Sequence, residues 1–159
     1  MSFLLGKTAS PLIFNTRRFT LDLSSAQVNT LFTVQNALVP ATRGYFFIPR
    51  ATMIVKESGL SYNMGVNTNL GLYWNGGIIA AGTAPTTALG SNVQTKTFIN
   101  GMCLADNTYR GSITDAQFNF SVQNGSLVFT VDNSNPSGGV GSVHVDALVD
   151  IYMNTWPFP

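Results

Sequence analysis

Apolar and polar residues alternate with a period of two along the last long segment of the chain. Val143, Val145, Ala147, Val149, Ile151 and Met153 fall on one phase, and Ser142, His144, Asp146, Leu148, Asp150 and Tyr152 on the other. Successive side chains of a strand point to opposite faces, so this spacing predicts one long, half-buried strand. The same alternation flanks Asn124-Gly125, with Phe118, Phe120 and Val122 before the pair and Leu127, Phe129 and Val131 after it. Asn-Gly supplies the two positive-φ residues of a type I′ turn, which predicts a hairpin over 117–132 with Phe120 opposite Phe129. Asn119, Ser121, Gln123 and Thr130 are then expected on the other face. A turn over 133–139, with Pro136, Gly138 and Gly139, joins the hairpin to the last strand and completes an expected meander.

Shorter runs at 19–23, 31–34, 45–48, 52–56, 70–74 and 97–104 also read as strands. They are divided by Pro40, Pro49, Ser58-Gly59, Asn75-Gly76-Gly77 and a Gly/Ala/Thr-rich stretch at 82–91. Pro49 has no N–H to give a ladder, so an edge or a bulge is expected there. Ser24-Ser25-Ala26-Gln27 has the spacing of a capping box and predicts one short helix near 25–31. Short strands separated by turn signals predict an all-β fold, an antiparallel β-sandwich of jelly-roll type. Residues 1–18 are expected as an N-terminal arm, 19–153 as the sandwich domain, and 154–159 as an extended tail stiffened by Pro157 and Pro159.

Charge changes this picture more than any motif does. Asp, Glu, Lys and Arg make up 9% of the 159 residues, against roughly 25% in ordinary soluble domains. Asn, Thr, Ser and Gly replace them, and they hydrogen-bond without the cost of desolvating a full charge. Such a surface suits a protein packed against its own copies or a larger assembly. The 45% hydrophobic content, with 11 Phe, supplies the core of one domain. A net charge of +1 gives no field for nucleic acid or an anionic membrane, and neither is an expected partner. Cys103 is the only cysteine, which rules out an intramolecular disulfide and fits a reducing compartment. The opening Met1-Ser2-Phe3-Leu4-Leu5-Gly6 lacks the basic start of a signal peptide, so a cytoplasmic product is expected.

Little in the chain can do chemistry. His144, Asp146 and Asp150 share one strand face and could approach a metal, but solvent-facing polar residues need no ligand. No G-x-S-x-G elbow is present, Cys103 lies between Met102 and Leu104 as a small apolar residue would, and Glu57 is the only glutamate. Asp132, Asn133, Ser134 and Asn135 offer oxygens without the spaced carboxylates of a calcium loop, so a connecting turn is the simpler reading. Asn119-Phe120-Ser121 and Asn124-Gly125-Ser126 match glycosylation acceptors but lack a secretory context. Tyr73 and Trp74, beside Asn75, have the types to stack on a sugar, although a strand ending in core aromatics explains them too. No catalytic residue, metal or cofactor is expected.

The segment 37–50, the expected meander, Asn135-Pro136-Ser137-Gly138-Gly139 and the strand at 145–152 together resemble the small β-sandwich virion proteins of tailed bacteriophages, notably capsid decoration or cement proteins. The resemblance is one of pattern, covers 24–152 and leaves out both ends. It implies a non-enzymatic protein made in the host cytoplasm and seated on the capsid surface of the virion. There it would clamp neighbouring copies of the major capsid protein, often as a homotrimer. The expected contact residues are Phe3, Leu4 and Leu5, Arg17 and Arg18, and Trp156 and Phe158. The alternative is a phage tail or receptor-binding module that recognises a host glycan through the loop at 73–77.

Overall fold

The computed structural model describes residues 13–66, 68–74, 78–79, 84, 86–100 and 125–153. Among them are eight strands: β1 Ile13–Leu23, β2 Asn36–Val39, β3 Tyr45–Lys56, β4 Leu70–Trp74, β5 Ile78–Ile79, β6 Thr95–Asn100, β7 Leu127–Val131 and β8 Val143–Met153. A one-turn helix, α1 at Ser25–Val28, and a 3-10 turn at Thr86–Ala88 complete the elements. The strands form two antiparallel sheets, in the orders β1-β8-β3-β6 and β2-β7-β4-β5. Among the described strands only β4 and β5 are consecutive and paired, and every other pair of consecutive strands lies in opposite sheets. That order is a jelly roll's, two Greek keys wrapped into a sandwich. The all-β sandwich expected from the pattern is the observed fold.

β8 follows its alternation closely. Val143, Val145, Ala147, Val149 and Ile151 are buried, in a strand paired on both sides by β1 and β3. The meander is not observed, because β7 and β8 lie in opposite sheets. The expected hairpin fails for a related reason. Phe129 has Asn36 of β2 on one side and Leu72 of β4 on the other, so no ladder position beside it is left for Phe120. Residues 117–124 themselves lie outside the described residues. Leu127, Phe129 and Val131 do enter the core, but Thr130, expected on an open face, is buried and donates its hydroxyl to the Leu31 carbonyl at 2.5 Å.

β3 joins two runs that read separately in sequence. Its register with β8 slips between Pro49 and Ala51, a bulge in which Arg50 is the extra residue. The slip changes phase, so Phe47 and Pro49 share the core phase before it and Thr52, Ile54 and Lys56 after it. Pro49 also lies where β6 has not begun to pair, since that ladder starts at Ala51. α1 opens on the expected capping box: the Ser24 hydroxyl accepts from Gln27 N–H, and Gln27 Oε1 accepts from Ser24 N–H at 3.0 Å. Residues 31–34 form turns leading into β2 and not the expected strand. Residues 13–18, expected in an arm, are the first half of β1. β6 covers the first part of the run at 97–104, and 101–104 lie outside the described residues.

Candidate interaction surfaces

The strands run between two poles. β1 begins and β8 ends at the same one, where Ile13 pairs with Tyr152 and Tyr45 with Met153. Segments 1–12 and 154–159 are therefore attached to neighbouring strands at a single pole. Phe3, Leu4, Leu5, Trp156 and Phe158 belong to those segments, outside the described residues. Arg17 and Arg18 sit nearby on β1, opposite Val149 and Leu148. Arg17 has the phase of Phe19, Leu21 and Leu23 but is exposed, because core coverage fades along β1 from buried Leu23 through half-buried Leu21 and Phe19. Arg18 grips Asp146 with both ends of its fork, Nε to Oδ1 at 2.8 Å and Nη2 to Oδ2 at 2.5 Å. This hydrogen bond holds the Asp146 carboxyl below its ordinary range and raises the guanidinium.

The even face of β8 carries three separate polar pairings. His144 Nδ1 meets Asp22 Oδ1 at 2.6 Å. Asp146 is held by Arg18. Asp150 accepts from the Thr16 hydroxyl at 2.7 Å and from Arg50 Nε at 3.2 Å. Asp150 was expected to face solvent with His144 and Asp146, yet it is buried, screened where Arg50 is thrown outward by the bulge. The three side chains thus share a face while each answers to its own partner. No three of His, Cys, Asp and Glu converge among the described residues. Cys103 lies outside them.

At the other pole the turn after β7 is tied to the loops that follow β1 and β3. Asp132 accepts from Asn69 N–H at 2.7 Å and from its Nδ2 at 2.6 Å. Asn133 Nδ2 donates to the Val66 carbonyl, Ser134 meets the Thr68 hydroxyl, and Asn135 Oδ1 accepts from Phe32 N–H at 2.8 Å and Thr33 N–H at 3.3 Å. Asp132, Ser134 and Asn135 thus engage neighbouring loops through their side-chain oxygens, and Asn133 does so through its amide nitrogen. This convergence is not visible in sequence, because its partners lie up to 103 residues apart.

Lys56 is the residue that sequence reasoning missed. It has the core phase opposite Val143 and is fully buried. Its ammonium donates to the carbonyls of Glu57 at 3.0 Å and Gly59 at 3.4 Å, and lies 5.8 Å from the centre of the Tyr62 ring. Burial pushes the Lys56 amine down and the Tyr62 phenol up. Tyr62 in turn donates to the Gly141 carbonyl at 2.6 Å and packs over Gly139, where a Cβ would fall 2.2 Å from the ring. A shallow depression of about 240 Å³ lies beside this knot, lined by Tyr62, Asn63, Met64, Gly65, Thr87 and Gly90. Among the described residues that line it, Tyr62 is the one titratable group.

Tyr73 and Trp74 are core residues, and the sugar-stacking role conceived for them is not available. Trp74 is fully buried and donates Nε1–H across the sandwich to the Phe47 carbonyl at 2.6 Å. Tyr73 is buried with its hydroxyl 3.4 Å from the Asn69 carbonyl, and burial, with the Asp132 charge, raises its phenol well above the ordinary value. Residues 75–77 lie outside the described residues. Comparison with protein-family models, with curated proteins and with solved structures finds no match to this chain.

Proposed function

We propose that this chain is a structural virion protein, a capsid decoration protein that binds the outside of a tailed-phage capsid and stabilises the lattice through contacts with the major capsid protein. The observation that carries this reading is the shared exit of the two apolar chain ends. The segments that contain Phe3-Leu4-Leu5 and Trp156-Pro157-Phe158 continue from β1 and β8, which are paired in one sheet. Two anchors so tethered act on one lattice at high effective concentration, so each contact can be weak while the pair is strong. Aromatic anchors commonly dominate such interfaces. The surface, poor in charge, makes binding of this kind less sensitive to salt than ion pairing. The jelly roll alone does not decide the matter, since capsid and lectin domains share it. The glycan alternative has lost Tyr73 and Trp74 as a stacking platform.

The test is co-sedimentation of the purified protein with capsids assembled from the major capsid protein of the same genome. The bound fraction should persist when salt is raised to about 1 M, where ionic contacts are screened within about 3 Å. Protein left in the supernatant at low salt would refute the reading.

A further inference from the structure

β3 ends on Lys56, where the strand's own pattern gives no reason for a charge. Its neighbours across the two ladders are Val143 and Thr95, and its side chain is fully buried. An ammonium taken out of water ordinarily brings a carboxylate with it. The ion pairs among the described residues do not include Lys56, and the adjacent Glu57 turns its carboxylate to Gln94 Nε2 at 3.0 Å. What the ammonium meets is backbone, the carbonyls of Glu57 and Gly59, with the Tyr62 ring beside it. No backbone N–H of the described residues donates to either carbonyl. Lys56 is their donor.

Those carbonyls lie where the loops interlock through backbone alone. A Cβ on Gly59 would fall 2.3 Å from the Val140 carbonyl oxygen, and one on Gly141 would fall 2.7 Å from that of Glu57. Both glycines take the positive φ that other residues rarely adopt. Val140 N–H donates to the Leu60 carbonyl, Gly59 N–H to that of Asn92 and Tyr62 N–H to that of Leu89, each at 3.0 Å. Segment 57–62 is thus held between 89–92 and 139–141. Methionine would fill the place of Lys56 with a chain of similar length and nothing to desolvate, so packing does not account for the amine. The two carbonyls do. With both drawn inward to the ammonium, the Gly59 and Tyr62 N–H groups are left to meet the 89–92 loop.

We propose that Lys56 is a positioning residue, whose buried ammonium fixes the 57–62 loop, and with it the Tyr62 wall of the depression, in one conformation. It plays this part whether or not the protein sits on a capsid. NMR of the full chain tests it. In the wild type Lys56 Nζ should be seen as a charged ammonium whose protons exchange slowly at neutral pH, as those of an exposed lysine do not. Lys56→Met should have a denaturation midpoint no lower than wild type. Its Gly59, Tyr62 and Val140 amides should nonetheless exchange at least about tenfold faster, while those of Val145 and Val149 in β8 do not, because the loop opens locally. Lys56→Gln keeps an N–H donor of shorter reach without the charge, and it should lose protection at the same three amides. A neutral amine in the wild type would overturn the proposal, as would unchanged exchange at the three amides in both variants. So would a midpoint lowered in both, or acceleration spread equally over β8.

Discussion

Thr52 shows how a single atom can cost stability in this core. Its hydroxyl is buried on β3, opposite Ala147, with no hydrogen-bond partner among the described residues. Valine has the same shape and nothing to desolvate. Thr52→Val should therefore stabilise the fold by about 1 kcal/mol, toward the lower end of the roughly 1–3 kcal/mol that an orphaned buried group costs. A raised denaturation midpoint with an unchanged slope would show it. Tyr73 makes a prediction about pH. Its phenol is raised above the ordinary value by burial and by Asp132, so the unfolded chain ionises first. The stability it contributes is complete below the unfolded value and is lost as pH climbs toward the folded one. Tyr73→Phe gives up only a 3.4 Å hydroxyl contact. It should sit within about 1 kcal/mol of wild type at neutral pH and hold more of its stability at about pH 11, above the ordinary tyrosine value near 10. Equal alkaline losses in the two proteins would contradict the assignment.

At the scale of elements, legibility tracked how local each determinant is. β8, the capping box and the Pro49 bulge were readable because their signals lie within a dozen residues: alternation, a three-residue spacing, a missing N–H. Sheet membership was not. Asn124-Gly125 favours a hairpin locally, but β2 and β4 arrive from distant sequence and occupy both sides of Phe129. The register of β3 with β8 past the bulge, also a long-range fact, is what gives Lys56 the phase of the core. The ties across the loop pole were hidden for the same reason. Asn135 illustrates it, since it reads as a turn residue yet holds Phe32 and Thr33 across the pole. Asn135→Ala should leave the melting transition cooperative while the Phe32 and Thr33 amides lose hydrogen-exchange protection, because the loop then opens locally. Unchanged protection at both amides would show that Asn135 does not hold the loop.

The two poles of the molecule differ in what they carry. At one, β1 begins and β8 ends as paired strands, and at the other lie the loops between the sheets, with scarcely a charge. Deleting residues 155–159 removes Trp156 and Phe158 and leaves β8, which ends at Met153, intact. The truncated protein should melt cooperatively near the wild-type temperature yet bind capsids at least tenfold more weakly, the loss of about 1.4 kcal/mol or more expected of an aromatic anchor. Truncation that unfolds the protein would instead assign the tail to its own core.

Orientation on the lattice tests the account most directly. An electron cryomicroscopy map of capsids saturated with the protein should place each sandwich with Ile13 and Met153 toward the shell and Leu60, Val93 and Val140 at the pole that points away from it. A map with the loop pole buried against the capsid and the strand ends pointing to solvent would contradict it.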